Sequence, residues 1–432
     1  MDNNAGFFEK VFKLKDHGTN VSTEVIAGFT TFMTMAYILI VNPLILSDAG
    51  LDMGKVFTAT AISSLIGTLI MGLYANLPFA LAPGMGLNAF FAYTVVIGMG
   101  KSPEFALTAV FLEGLIFILL SFVNVREAII NSIPQNIKKA ISVGIGLFIA
   151  FIGLANAGIV VDSVTLVGLG DITSGTALLA LIGLVIAGAL LAFKVKGALF
   201  IAIIATTIIG YPMGITTFPD RIMSAPAAPY FFDFVWSEIF TFDMFTVVFV
   251  FLFVDIFDTV GTLVGVSTKA GMMTKDGKVP KAKQALLADA VATTLGAALG
   301  TSTVTTYVES AAGVAEGGRT GLTSVVTAGL FAVALLFSPL FIMIPGAATA
   351  PALILVGLFM MSPIKEINFD DFTEAIPAFL TLIMMPLTYS ISDGIVFGIV
   401  SYVLLKVLTR KFSDVTLLTY ILAIVFVIKF IM

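Results

Sequence analysis

Continuous apolar runs, punctuated by short polar or glycine- and proline-bearing stretches, repeat along the whole chain. About 20 consecutive apolar residues cross a bilayer core as a helix, so the runs predict membrane spans. Apolar and polar positions do not alternate, which excludes a β-barrel. The first seven spans are predicted at about Glu24–Leu46, Val56–Asn76, Phe79–Val96, Phe105–Val123, Ala140–Ala155, Thr176–Phe193 and Ala198–Pro212. Thr216–Asp243, with Pro219, Pro226 and Pro229, reads as a connector between halves. Seven more follow at about Met244–Ser267, Leu286–Leu299, Thr301–Ser324, Leu322–Pro345, Ala347–Met361, Ala375–Tyr389 and Asp393–Lys411. That makes about fourteen. An apolar tail, Leu417–Ile431, either spans or lies in the interface. Ahead of the spans, Met1–Lys15 sets Phe7, Phe8, Val11 and Phe12 against lysines, the pattern of an interfacial helix.

Two spans are interrupted. Pro83, Gly84 and Gly86 break the first half of the third, and a short helix from Gly86, opening with Asn88, forms its second half. The tenth opens with Thr301–Thr306, a run of hydroxyls and β-branched side chains that favours extended backbone. Val304 to roughly Ala315 reads as helix. It covers about 18 Å, short of a bilayer core of about 30 Å, so an extended piece and a half-helix must cross together. Irregular backbone survives at that depth only when buried in protein or lining a cavity. Ala80–Asn88 can be laid over Ala298–Thr306. The two copies lie seven spans apart, an odd number, so they are inverted across the membrane. Carriers built from inverted repeats bind substrate at the midplane between such broken helices, whose N-terminal ends offer positive dipoles and free N–H groups.

Composition agrees with the pattern. Of 432 residues, 59% are hydrophobic and 11% charged, whereas soluble domains run near 25% charged. The expected class is an all-α polytopic membrane protein with short extended stretches in spans 3 and 10. There is no cysteine, hence no disulfide or thiol chemistry. No basic patch interleaves with aromatics, so no nucleic-acid partner is expected. The polar N-terminus is not a cleavable signal peptide. Lysine and arginine cluster in alternate loops: Arg126, Lys138 and Lys139; Lys194 and Lys196; five lysines within Lys269–Lys283; Arg319; Lys365; and Arg410 with Lys411. By the positive-inside rule these loops and the N-terminus are cytoplasmic. The expected location is the cell membrane, with the lipid bilayer as surroundings.

Candidate chemistry lies in spans 3, 8 and 10. Asp255, Asp258 and Thr262 recur at i, i+3 and i+7, on one helix face. Gly261 and Gly265 would allow close helix approach. An isolated ionised aspartate at the bilayer centre costs about 2.5–3.5 kcal/mol, so two on one face imply a wet cavity, a bound partner or a carboxyl kept protonated. A protonatable carboxyl suits a proton-coupled carrier; a structural aspartate hydrogen-bonded to a neighbouring helix is the plainer reading, most of all for Asp255. Glu309 follows the break in span 10, and its carboxylate can accept two coplanar N–H donors, as the edge of a purine or pyrimidine offers. Asn88 offers donor and acceptor together. Phe90, Phe91 and Tyr307 could stack on a flat ring, although ordinary core packing explains buried aromatics as well. Glu316 and Arg319 read as the cytoplasmic end of the helix. His17 reads as a solvated loop residue. No phosphate loop, histidine cluster or nucleophile–histidine pair occurs, so neither an enzyme, a cofactor nor a resident metal is expected.

Four motifs, Thr30–Pro43, Ala82–Phe91, Phe257–Thr262 and Thr305–Ser324, resemble those of the AzgA-like adenine/guanine/hypoxanthine permeases. These belong to the nucleobase:cation symporters, the xanthine/uracil permease superfamily. The resemblance covers nearly the whole chain. It implies two inverted repeats of seven spans. Residues 1–23 would be a cytoplasmic lead, and 24–123 with 244–345 a core domain. Residues 124–243, including the outer connector, and 346–432 would supply the gate domain. It implies proton symport of purine nucleobases by an elevator-type cycle, with a homodimer through the gate domains. By motif match, Asn88, Asp255, Asp258 and Glu309 fall on substrate-binding positions, and Asp258, Glu309 and Asp255 are the candidates for proton coupling. Related uracil permeases carry a glutamate and a histidine where Asp258 and Thr262 stand here, so here a carboxylate must carry the proton. A facilitator for a small neutral solute would instead predict flux without proton movement. An anion transporter of the same fold would want a cation near the site.

Overall fold

The computed structural model describes residues 7–122, 134–164, 166–173, 175–274 and 279–431. Arg126, Lys275 and Lys278 lie outside these residues. Eight helices among the described residues are long and apolar enough to cross a membrane, and four shorter apolar helices accompany them. The chain is a multi-pass membrane protein. α1 (Phe7–Phe12) is the short lead, and Phe12 is buried against Leu14 and Leu322. The first span is two helices, α2 (Val21–Met35) and α3 (Ile38–Asp48), parted at Ala36–Tyr37. α4 (Met53–Ile70) ends in a π-helical turn.

Strand β1 (Leu81–Pro83) leads into α5 (Met85–Ala89), which continues as π-helix over Phe90–Gly98. α6 (Pro103–Phe122) and α7 (Gln135–Asn156) follow. A hairpin that the helical pattern did not predict, β2 (Val160–Ser163) with β3 (Leu166–Leu169), then stands largely exposed. Its β-branched, valine-rich sequence suits a pleated ribbon. Next come α8 (Gly175–Ala192), α9 (Ala198–Gly210) and the long α10 (Phe242–Lys269). α11 (Ala282–Leu299) ends at Gly300, whose φ of +94° closes the helix through N–H bonds to Gly296 and Ala297. β4 (Val304–Thr306) and the six-residue α12 (Ser310–Ala315) make up the tenth segment. α13 (Gly321–Leu336), α14 (Ser338–Ile342), α15 (Gly346–Met360), α16 (Phe372–Leu387) and α17 (Ile391–Leu408) complete the predicted spans. The tail is helix α18 (Leu417–Ile431), packed on α17. At fifteen residues it reaches about 22 Å, short of a bilayer core.

Two expectations change. Val304–Thr306 is strand, not helix, because its backbone pairs antiparallel with Leu81–Pro83. The overlay of the two broken segments also shifts by five positions: counted from the first residue of each strand, Asn88 matches Ala311 rather than Thr306. Chain punctuation, not side-chain identity, sets that register. Gly84 N–H donates to the Thr303 carbonyl, and Tyr307 N–H to that of Ala80, extending the ladder at both ends.

The helices pack in two groups. One holds α2, α4, α6, α10, α11, α12 and α13; the other holds α7, α8, α9, α15, α16 and α17. In the second, Gly146 and Gly357 bring α7 and α15 so close that a Cβ on either would meet the other's carbonyl oxygen within 2.6 Å. Small residues allow this contact, and in lipid such packing replaces the hydrophobic drive between helices. Gly261 and Gly265 do not act this way, since a Cβ on either would meet no atom of another helix within 4 Å among the described residues. Apolar packing and several polar side chains join the groups. Tyr93 donates to Asp48 at 2.6 Å, and Asn156 of α7 donates to the Tyr93 hydroxyl at 3.2 Å.

Candidate functional site

The two breaks place their helix starts beside one ribbon. Six residues of strand, all buried, cross the protein here. Around the ribbon stand acidic side chains from α10, α11, α6 and the tenth segment, in two sets.

The first set holds Glu309 and Asp258. Glu309 occupies the residue before α12, but its carboxylate does not cap that helix. It accepts a 2.6 Å bond from the Tyr37 hydroxyl instead. Tyr37 is available because the first span is parted there; the residue is buried and its ring turns inward. Asp258 lies beside Gly84, where an added Cβ would sit 3.6 Å from Oδ2. Both acids are half-buried, in contrast to the fully buried groups around them. Tyr37, Tyr307, Asp258 and Glu309 lie within electrostatic reach of one another. The Tyr307 hydroxyl donates to the Pro83 carbonyl at 2.5 Å, which pins the two segments together. Asn88 is fully buried and accepts from Ser302, so it faces the lead of the tenth segment. Phe90 packs edge-on against Phe251 at 4.8 Å between centroids and is 1% exposed. Phe91 is equally buried in the core.

Asp255 belongs to the second set. It accepts from Thr259 at 3.3 Å and lies within electrostatic reach of Asp258. Its carboxyl also meets those of Glu113 and Asp289. All three are fully buried. Thr303 donates to Glu113 at 2.7 Å, and Thr259 reaches Asp289 at 3.1 Å and Thr305 at 2.6 Å.

Sequence reasoning missed Tyr37, Glu113 and Asp289. Each sits alone in an apolar run, so no spacing marks it; the signal available was the rule that an ionisable group inside a span is a site until explained. Glu24 was missed because it sits among Asn20, Ser22 and Thr23 at the start of the first span, and its role is structural. It accepts from the backbone of Arg319, Thr320 and Thr323 and from the Thr323 hydroxyl, at 2.6–3.3 Å, and so satisfies the start of α13. Arg319 donates to the Val314 and Gly318 carbonyls, and Glu316 pairs with Lys196. These groups form the end of the broken segment.

Comparisons with known proteins agree with this architecture. A family model described as a permease family, that of the xanthine/uracil permeases, matches residues 22–397. A putative permease of Methanocaldococcus jannaschii is 52% identical over 98% of both chains. A guanine/hypoxanthine permease of Bacillus subtilis is 46% identical over 97% of this chain and 99% of its own. An adenine permease of Escherichia coli is 43% identical over 98% and 96%. Among solved structures, the transmembrane domain of the cyanobacterial bicarbonate transporter BicA superposes with a TM-score of 0.67 at 15% identity, covering 88% of this chain and 97% of that one. That last likeness concerns the fold alone. A ribbon between broken helices, acids beside it and family-wide identity across both packing groups converge: the chain is a transporter, not an enzyme, and belongs to the xanthine/uracil permease family.

Proposed function

We propose that this chain imports purine bases across the cell membrane together with protons. The observation that carries the reading is the meeting of Glu309, Asp258, Tyr37 and Tyr307 beside the paired breaks. Two carboxylates offer acceptors to ring and exocyclic N–H groups of a purine, and Asn88 adds a donor and an acceptor nearby. No ion pair joins Asp258 or Glu309 to lysine or arginine among the described residues, which favours a neutral base over an anion. The relatives named guanine/hypoxanthine and adenine permeases support the same substrate class.

The cycle we propose is elevator-like. The helix group bearing the ribbon acts as the core, and the group built on α7 and α15–α17 acts as the gate. Their contact is thinner than the packing inside either group, and the Asp48–Tyr93–Asn156 link is one of the polar ties to be broken as the core slides. The full arrangement we propose is fourteen spans in two inverted halves, N-terminus inside, with gate domains pairing two copies. A base and a proton load from outside and leave inside.

Uptake of radiolabelled hypoxanthine, guanine, adenine, xanthine and uracil in transport-deficient cells, with and without a protonophore, tests this. Accumulation of at least one purine that collapses with the protonophore is the expected result. Absence of purine uptake sinks the substrate reading, and protonophore-resistant accumulation sinks the coupling.

A further inference from the structure

The second acidic set is separate from the groups that face the proposed base. α6 supplies Glu113, α10 supplies Asp255 with Asp258 one turn on, and α11 supplies Asp289. The strand lead supplies only hydroxyls at Thr303, Thr305 and Thr306, with Tyr307 and Glu309 beyond it. Close approach of the helices builds the set: a Cβ on Gly114, next to Glu113, would lie 2.8 Å from the Thr294 backbone nitrogen of α11. Neither Glu113 nor Asp255 has a lysine, arginine or histidine partner among the described residues.

Burial without a cation leaves a chemical demand. Glu113 Oε1 and Asp255 Oδ2 are buried and accept no bond from any donor among the described residues. The two carboxyls nonetheless touch each other. Two carboxylates repel; the contact becomes a hydrogen bond only when a proton sits between them. Among the described residues no three acidic or histidine side chains converge in a way that could hold a metal ion. A single proton meets this demand, since it neutralises one carboxylate and supplies the donor that the other lacks.

We infer that Glu113, Asp255 and Asp289 form the site that carries the transported proton, apart from the carboxylates that grip the base. The inference rests on the proton-coupled reading above and relocates its ion. In loading, one proton from the outer solution forms an O–H bond on a carboxylate of the Glu113–Asp255 pair and is shared across the pair. In unloading, that O–H bond breaks and the proton passes to the inner solution. The strand senses the change. Thr303 donates to Glu113, and Thr259 joins Asp255 and Asp289 to Thr305. Charge on the acids thus sets the hydroxyl directions of the segment that carries Tyr307 and Glu309.

The test uses the full-length protein in lipid, as wild type and as Glu113→Gln. Infrared difference spectroscopy without any base reads the carbonyl stretch of protonated carboxyls as pH is stepped. The wild type should show a titrating band that Glu113→Gln removes or moves. In proteoliposomes, Glu113→Gln should keep purine counterflow within about threefold of wild type while proton-driven accumulation is lost, and Glu113→Asp should restore part of it. Monodisperse elution of each variant guards against misfolding. An unchanged infrared band with a wild-type pH profile of uptake in Glu113→Gln overturns the site, as does sodium-dependent, pH-independent uptake by the wild type. A titrating band in a protein that moves no purine leaves the site standing and sinks the purine reading instead.

Discussion

The two broken segments share a device and differ in chemistry. The third is almost wholly apolar: after β1 its helix runs on from Met85 through the π-helical stretch to Gly98, and Asn88 is its one polar group facing the other segment. The tenth carries hydroxyls through its strand, then a helix of six residues, then Glu316 and Arg319. One segment behaves as a frame and the other as the chemical half. The difference teaches that an inverted pair need not divide the work evenly. Geometry needs two copies, since each strand requires the other's backbone groups. Recognition can then drift to one of them.

Substitutions can break that division, the strongest first. Glu309→Ala and Asp258→Ala should each weaken purine binding at least about 100-fold, or about 2.7 kcal/mol, while the protein still inserts and elutes as a single species. Isothermal titration of the purified variants checks this; wild-type affinity in either would move the site elsewhere. Gly84→Ala attacks the frame. Its Cβ would come within 2.7 Å of Thr305 Cγ2, and forcing the strands apart should cost about 1–3 kcal/mol of stability. A fall in thermal midpoint and in binding together would show that frame and site are one unit; a fall in stability alone would part them. Tyr37→Phe takes one donor from Glu309 without altering the ribbon. Bonds to charged groups contribute about 1.5–3 kcal/mol to stability, so the thermal midpoint should fall, and affinity should drop about tenfold as the Glu309 carboxylate loses the donor that orients it.

Asp371 sets the baseline outside both segments. Its hydrogen bond from Lys411 holds the carboxyl below the usual carboxylate range. A depressed value stabilises the fold at pH above the unfolded carboxylate's, about 3.9, and that gain is lost as pH falls through the lower folded value. Asp371→Asn should leave uptake intact, lower the thermal midpoint slightly at neutral pH, and show a difference that begins to shrink only as pH falls below the unfolded carboxylate's value of about 3.9. The pair is exposed, so salt should shrink even that difference.

How much of this was legible follows from what each signal requires. Apolar runs marked most of the long helices to within a few residues, because a helix in lipid satisfies its own backbone and needs only length; Leu322–Pro345 is instead two helices, Gly321–Leu336 and Ser338–Ile342. Proline and glycine gave both breaks. The extent of helix in the tenth segment was misjudged, because pairing of Val304–Thr306 with residues more than two hundred positions earlier is not written in either stretch alone. The same holds for the break at Tyr37, which no glycine or proline marks; Pro43 lies inside α3 instead. Asp255 and Asp258 were legible as a pair by spacing. Their assignment to different sets depends on where α6 and α11 stand, which spacing on α10 cannot encode.

Glu24 and Asn42 carry a consequence for synthesis. Glu24 lies in α2 and Asn42 in α3, and both are made long before residue 300. Glu24 finds its donors nearly 300 positions later, and Asn42 donates to Thr60 but also to Thr301, 259 positions on. At about 5–20 residues per second, these helices wait on the order of tens of seconds with an acid and an amide unsatisfied. During that interval they must stay near water, the translocation machinery or a neighbouring segment. The order in which the chain is made therefore differs from the order in which its core can close, and the last pieces to arrive are the ones that release the first.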